Sequence, residues 1–301
     1  MYDVIVIGGG AAGMTAAMYS SRANLKTGVI ESFMFGGQMM NTSDVENYPS
    51  IQNITGAELS EKIYDSSMRF GAETIYASVK KITLIENLKE VHTDNGVILA
   101  RSIIIATGSH HRELGLDNER ELAGKGVSYC AICDGAFFKD KTVTVIGGGD
   151  SAIEEAIFLT QYAEEVRVVH RREHLRAQKV LQSRALSNEK INFLWETEVE
   201  SINGVGKLES VTLKNNRTKE VFDMNTDGMF VYVGLNPLTE PFEELGILDE
   251  HGWIITDENM KTSVDGIFAA GDVRKKNLRQ IATAVGDGAI AGQEAYEFLS
   301  R

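Results

Sequence analysis

Asp3-Val4-Ile5-Val6-Ile7-Gly8-Gly9-Gly10-Ala11-Ala12-Gly13 opens the chain and decides its fold. A short β-branched run enters a glycine turn, and an Ala- and Met-rich helix follows to about Arg22. Thr27-Gly28-Val29-Ile30 reads as the next strand and ends on Glu31. This is G-x-G-x-x-G in strand–turn–helix context, the dinucleotide-binding pattern. Gly8 makes the tight turn, Gly10 lets backbone approach a pyrophosphate, and Gly13 lets the helix pack closely on the strand. The helix N-terminus offers its free N–H groups to phosphate. Glu31, 18 residues beyond Gly13, suits the hydroxyls of a ribose.

The same unit returns 139 residues later, with Val143-Thr144-Val145-Ile146 as strand and Gly147, Gly149 and Ala152 in place of Gly8, Gly10 and Gly13. One G-x-G-x-x-G is a weak signal, whereas a single offset shared by strand, turn, helix and strand marks a repeat. The units differ at the end of their second strand. His170 stands where the first unit has Glu31, followed by Arg171, Arg172 and Arg176. A carboxylate repels a 2′-phosphate and guanidinium groups bind it, so the first unit suits a 2′-hydroxyl nucleotide such as FAD and the second suits NADPH over NADH. The bland alternative is a solvated basic patch on a helix over 173–186.

Cys130-Ala131-Ile132-Cys133-Asp134 holds both cysteines of the chain, just ahead of the second glycine turn. A C-x-x-C pair can close a small disulfide, and Asp134 can hand over a proton. Such a pair beside one dinucleotide site, with another upstream, suggests electrons passed from cofactor to cofactor to sulfur. A zinc site needs four ligands, and the adjacent His110-His111 do not match ligand spacing.

The 301 residues suggest about two domains. With 43% hydrophobic and 24% charged residues, each can bury a core. A net charge of -13 leaves no basic stripe for nucleic acid. No apolar run reaches the roughly 18 residues of a membrane span. The apolar stretch Val4–Met18 lacks a basic leader, so a cytoplasmic protein is expected. Further elements are expected as an amphipathic helix over 57–71 (Leu59, Ile63 and Phe70 inward), a meander near 74–99, a buried strand over 103–108 and its counterpart over 229–234. Pro237 and Pro241 mark one linker and 109–116 the matching crossing. The strand over 267–272 is most economically returned to the first domain, and a final helix runs from about Asp287 to Leu299, opened by Gly286-Asp287-Gly288. The expected fold is α/β, with two Rossmann-like three-layer nucleotide-binding domains, the second inserted into the first. The FAD-binding domain would be 1–112 with 245–301, and the NADPH-binding domain carrying C-x-x-C would be 117–242.

Taken together, the chain resembles the low-molecular-weight, bacterial-type thioredoxin reductases over essentially its whole length. The resemblance rests on Gly8 to Gly13, Gly36-Gly37-Gln38, Glu46-Asn47-Tyr48-Pro49, Ala106-Thr107-Gly108, Cys130 to Gly135, Gly147 to Ala152, His170-Arg171-Arg172, Gly271-Asp272 and Arg279-Gln280. It implies FAD on the first glycine turn with Glu31, Gly37, Gln38, Asn47, Gly108 and Arg279, Asp272 on the ribityl chain and Gln280 by the flavin ring. It implies NADPH on Gly149, Asp150, Ser151, Arg171, Arg172 and Arg176, and no metal. Cys130 would attack the disulfide of thioredoxin, Cys133 would lie nearer the flavin, and Asp134 would be the acid. It further implies a homodimer and a rotation of domain 117–242 about its two linkers, because cysteines and nicotinamide must each reach the flavin. Lys125, Phe137 and Phe138 match positions that dock thioredoxin, against the plainer reading that the two rings pack under strand 142–146; Arg274-Lys275-Lys276 reads as a solvated loop. Ala11 and Leu278 depart from the family, which often has proline and an aromatic there. A ferredoxin-NADP reductase would lack the C-x-x-C, and a ferredoxin-dependent flavin reductase or a dithiol oxidase acting on another substrate would lose the arginines. A nucleotide sensor would need no redox pair.

Overall fold

The computed structural model describes residues 1–301 except 43, 44, 46, 52 and 53, so Glu46 of the sequence motif lies outside the described residues. In chain order the first elements are β1 (Tyr2–Ile7), α1 (Ala11–Arg22), β2 (Thr27–Glu31), α2 (Gly56–Met68), β3 (Glu73–Tyr76), β4 (Val79–Ile85), β5 (Leu88–Thr93) and β6 (Gly96–Ile105). Then come β7 (Ser109–His111), β8 (Val127–Ser128), α3 (Ala131–Asp134), β9 (Thr142–Gly147), α4 (Asp150–Leu159), β10 (Glu165–His170), α5 (Lys179–Leu186) and β11 (Ile191–Trp195). β12 (Thr197–Asn203), β13 (Ser210–Asn215), β14 (Val221–Asn225), β15 (Gly228–Tyr232), β16 (Leu235–Pro237), β17 (Ile267–Ala269) and α6 (Ile281–Leu299) complete the order. Two compact units result: Met1–His110 with Asn236–Arg301, and His111–Leu235.

In the first unit the sheet runs β3-β2-β1-β6-β5-β4, with β17 also on β6. β1, β2, β3, β6 and β17 are parallel, whereas β4 and β5 are antiparallel additions. Alternate residues of β1 enter different cores. Val4 and Val6 pack with Met14, Phe268 and Ala291, while Ile5 and Ile7 pack with Ile30, Ile105 and Phe242. Both faces are covered, which is why the strand reads as an unbroken apolar run. The expected meander is therefore divided, since Glu73–Tyr76 is the third parallel strand. α2 starts on a capping box between Thr55 and Glu58 and stops at Met68, which leaves Phe70 39% exposed and outside the core.

The last helix begins at Ile281, six residues before the expected start. Gly286 and Gly288 lie inside it and do not open it. The reason is a long-range contact. A Cβ on Gly288 would collide with the carbonyl oxygen of Ala12, and one on Gly292 would lie 2.6 Å from that of Ala16. These glycines let α6 meet the backbone of α1.

In the second unit β11-β10-β9-β15-β8 form a parallel sheet. Val143, Val145, Val168 and Phe230 pack with α4 and α5 residues, and Ile146, Val169 and Val231 pack with Val211 and Leu213 of the antiparallel β12-β13-β14 sheet. Three layers follow from two apolar faces on each central strand. The proline-bearing crossing is no open linker: β16 pairs with β7, and Pro241 starts a 3-10 turn over Glu240–Leu245. Phe242, fully buried among Ile5, Ile247 and Ile254, belongs to the first unit. The inner unit accordingly spans 111–235, where 117–242 is expected from sequence. Likewise the helix expected over 173–186 begins only at Lys179.

Replacing Gly292 by Ala should destabilise the protein by about 1–3 kcal/mol through overpacking. Gly286→Ala, which meets nothing within 4 Å, should gain up to about 1 kcal/mol of helix propensity. Urea unfolding midpoints of the two variants check the pair, and equal shifts would contradict this account of the α1–α6 contact.

Candidate active site

The redox turn is built from β8 onward. Cys130 and Cys133 are joined as a disulfide, with Cα atoms 5.4 Å apart. Cys130 caps α3, and its Sγ accepts a hydrogen bond from the Cys133 N–H at 3.2 Å. The turn is anchored at three further points. Ser128 Oγ accepts from the Cys130 N–H (3.1 Å) and donates to Asp134 Oδ2 (2.7 Å), and the Ala131 N–H donates to the Tyr232 hydroxyl (3.0 Å). Cys133 is exposed and Cys130 half-buried. Phe138 and Phe137 part company: Phe138 is buried edge-on against Phe230 in the space above Gly228, whereas Phe137 is 73% exposed. Lys125 is exposed as well.

The second glycine turn lies in the same unit. Gly147 has φ +147°, and a Cβ there would collide with the carbonyl oxygen of Tyr232; Gly148 lies under the His170 ring, and nothing crowds Gly149. His170 is buried, and burial together with Arg176, Arg172 and Arg171 pulls its pKa below the usual histidine range. The neutral ring donates through Nε2 to the His174 carbonyl at 3.1 Å. Arg171, Arg172 and Arg176 are exposed on the loop between β10 and α5, not on a helix. That loop is strapped to the turn, because the Arg176 N–H donates to the Gly148 carbonyl (2.7 Å) and the Gln178 N–H and Nε2 donate to Asp150 Oδ1 (2.7 Å) and Oδ2 (2.9 Å). Asp150, expected on the cofactor, thus spends both oxygens on the loop. Ser151 is exposed in the first turn of α4.

In the first unit, a Cβ on Gly13 would overlap the carbonyl oxygen of Gly8, which itself has φ +107°. Gly10 and Gly37 face one another with no side chain between them, leaving a backbone-lined cradle. Glu31 Oε2 accepts from the Gly9 N–H (2.8 Å), and Oε1 accepts from the N–H groups of Ser32 (2.8 Å) and Phe33 (3.1 Å). Gln38 Nε2 donates to the Ser109 carbonyl at 3.1 Å and Asn47 Nδ2 to Gln280 Oε1 at 2.9 Å. Gly108 lies in the turn after β6 at φ +70° with open space around it. Asp272 follows β17. Burial raises its pKa against the pull of Lys276 and Arg279, and its Oδ1 is buried with no hydrogen-bond partner. A buried unpaired carboxylate oxygen is costly. A polyol hydroxyl would satisfy it, so cradle, Glu31 and Asp272 together fit a flavin dinucleotide. Arg279 stacks on Trp253 at 3.7 Å and donates to the Asp272 and Arg274 carbonyls. Leu278 is 53% exposed.

The Arg274-Lys275-Lys276 run is not a solvated loop. Arg274 and Lys276 are largely buried, each 2.9 Å from Asp287, and Lys275 pairs with Asp249 at 3.3 Å. Several structural partners carry no sequence signal at all. Ser128, Tyr232 and Trp253 sit in no motif and meet their partners only through the fold. His110-His111 finds a neighbour in the same way, with the His111 ring edge-on to Tyr232 at 5.6 Å. Among the described residues no cluster of His, Cys, Asp and Glu could hold a metal, and no helix is long and apolar enough to cross a membrane.

An anchored disulfide with an adjacent carboxylate can accept an electron pair and pass it on by thiol–disulfide exchange. Comparison with known proteins agrees with that chemistry. The chain is 52% identical over 300 residues to the thioredoxin reductase of Bacillus subtilis, covering 99% of this chain and 95% of that one. It is 53% identical over 300 residues to the thioredoxin reductase of Listeria innocua, at 99% and 94% coverage. A crystal structure of Lactococcus lactis thioredoxin reductase in the FR conformation superposes with a TM-score of 0.98 at 50% identity, covering 100% of this chain and 99% of that one. With residues 2–288 matching the family as a whole and the two cysteines bonded within it, the chain belongs to the pyridine nucleotide-disulphide oxidoreductases.

Proposed function

We propose that this protein is an NADPH-dependent thioredoxin-disulfide reductase. The bonded Cys130–Cys133 pair on its anchored turn carries the reading, in a chain similar over its full length to thioredoxin reductases. FAD is held in the first unit by the Gly8–Gly13 turn, Glu31, Gly37, Gln38, Asn47, Gly108, Asp272, Arg279 and Gln280. NADPH is held in the second by Gly149, Ser151 and the guanidinium groups of Arg171, Arg172 and Arg176, while Asp150 fixes the arginine loop. When bound, the flavin converts the hydride of nicotinamide into an electron pair that a disulfide can take.

The protein residues position and move protons. Once the bridge is opened, a thiolate at Cys130 keeps the hydrogen bond from the Cys133 N–H, which stabilises the anion and favours Cys130 as the attacking sulfur. It forms a mixed disulfide with thioredoxin, and Cys133 then closes the bridge again and releases the reduced partner. Asp134, oriented by Ser128, hands a proton to the departing thiolate. Phe137 and Lys125, both exposed beside the turn, are offered to the partner, while Phe138 serves the core.

Because the cysteines and the arginine loop lie on one unit and Glu31 and Asp272 on the other, the cycle includes a rotation of the inner unit about its two crossings. Locking the units by a cross-link should abolish turnover. A homodimer and a cytoplasmic location belong to the same reading, supported by the family likeness and by a single close cysteine pair of the kind used catalytically in reducing compartments.

The direct test is NADPH-driven reduction of candidate thioredoxins. Cys130→Ser and Cys133→Ser should each reduce it to background. Arg171→Ala or Arg172→Ala should raise KM for NADPH by roughly tenfold, about 1.4 kcal/mol for a lost charged contact, and leave KM for NADH unchanged. Equal losses with both nucleotides would contradict the assignment of these arginines to the 2′-phosphate.

A further inference from the structure

Behind the redox turn lies a carboxyl group that the proposed reaction does not use. α4 packs on the turn through one face, since Gly135, next to Asp134, approaches Phe158 and Leu159 of that helix. Glu155 lies three and four residues before them and so shares that face. Its Oε2 is buried and has no hydrogen-bond partner. Nearby, Tyr232 at the end of β15 is 8% exposed, and its hydroxyl accepts the Ala131 N–H of the turn itself. A buried phenol also carries one proton to donate. The two groups feel each other: burial raises the Tyr232 pKa first and Glu155 raises it next, with Asp134 adding a smaller push and the Ala131 hydrogen bond opposing.

We propose that Glu155 is a positioning residue for the Cys130–Cys133 bridge, acting through the Tyr232 phenol on the turn that carries it, so that ionising Glu155 disfavours the reduced, anionic form of the pair. The inference rests on reading the bridge as the redox centre. Burial, with the charge of Glu154 adding to it, pushes the Glu155 pKa up to about 8. The other groups around α4 leave it so. β9 carries no ionisable side chain, Glu165 and Arg167 of β10 pair with each other, His170 is neutral at Gly148, and Lys179 and Arg184 of α5 do not offset the shift. The His111 ring also lies edge-on to the same phenol, 5.6 Å away.

The chemistry balances as follows. The S–S bond breaks on taking two electrons, from NADPH in the enzyme or from a dithiol reagent in a test. One sulfur takes a proton and the other remains a thiolate. That new negative charge raises the Glu155 pKa further, so above pH about 8 reduction also draws a proton onto Glu155. The folded pKa is raised, and the neutral acid is complete below it. Ease of reduction is therefore unaffected at pH 7 and falls as pH rises through the Glu155 value.

The test compares wild type with Glu155→Gln, which keeps the shape and cannot ionise. Each holoprotein is equilibrated with dithiothreitol buffers at pH 7 and pH 9, quenched with an alkylating reagent, and its Cys130 and Cys133 labels counted by mass. The equilibrium constants should agree at pH 7. At pH 9 the variant should be more readily reduced by about fivefold, for a thiolate-induced rise of about one pKa unit in wild type. Tyr232→Phe should shrink that difference. A variant that differs equally at both pH values, or at neither, overturns the proposal. Should Glu155→Gln fail to fold, infrared difference spectra of wild type read the carboxyl directly, and a titration unmoved between oxidised and reduced protein would equally overturn it. Because the electrons come from dithiothreitol, failure here would leave NADPH-driven thioredoxin reduction standing, and failure of that activity would leave this measurement readable.

Discussion

Each unit depends on an atom that is missing. A Cβ on Gly13 would overlap the carbonyl oxygen of Gly8, and a Cβ on Gly147 would overlap that of Tyr232. With those atoms absent, α1 can rest on the first turn and the second turn can lie against the end of β15, so each helix starts beside the carboxyl ends of its parallel strands. The proposed chemistry gathers there. Glu31 ends β2, Gly108 follows β6 and Asp272 follows β17, while His170 ends β10, Tyr232 ends β15 and Cys130 follows β8. In open parallel sheets ligands bind outside the carboxyl ends of the strands, and this chain repeats that geometry in both units.

Charge is handled in two ways. Where it serves structure it is paired, as Asp287 is with Arg274 and Lys276 and Asp249 with Lys275. Among the described residues Asp272 and Glu155 differ, each with a buried oxygen that has no hydrogen-bond partner. Unpaired buried carboxylates are destabilising and shift toward the neutral form. In the proposed reading one meets a flavin's hydroxyls, and the other acts near Tyr232, whose hydroxyl holds the Ala131 N–H of the redox turn. Asp287 and Asp272 lie 15 positions apart in the same unit, the one paired twice and the other with an oxygen left unpartnered.

The glycine turns, the strands they join and the C-x-x-C were legible because their causes are local: period, β-branching and spacing. Contacts at long range were not. Gly286 and Gly288 look like helix openers until both are found inside α6, where α1 approaches Gly288 and leaves Gly286 free of contact. Phe242 falls within the expected second domain until it is found in the core of the first unit. Asp150, three positions beyond Gly147, gives no sign in the sequence that Gln178 will bind both its oxygens. Tyr232 and Glu155 belong to ordinary strand and helix patterns, and only tertiary packing brings the Tyr232 hydroxyl to the turn and the Glu155 charge to Tyr232.

In the proposed reaction Cys130 and Cys133 take the electrons that NADPH supplies. The flavin-loaded protein, mixed anaerobically with a small excess of NADPH and no thioredoxin, should be quenched with an alkylating reagent and analysed by mass. Labels on both cysteines are predicted. A protein whose flavin bleaches while the Cys130–Cys133 bond stays closed would rule that route out.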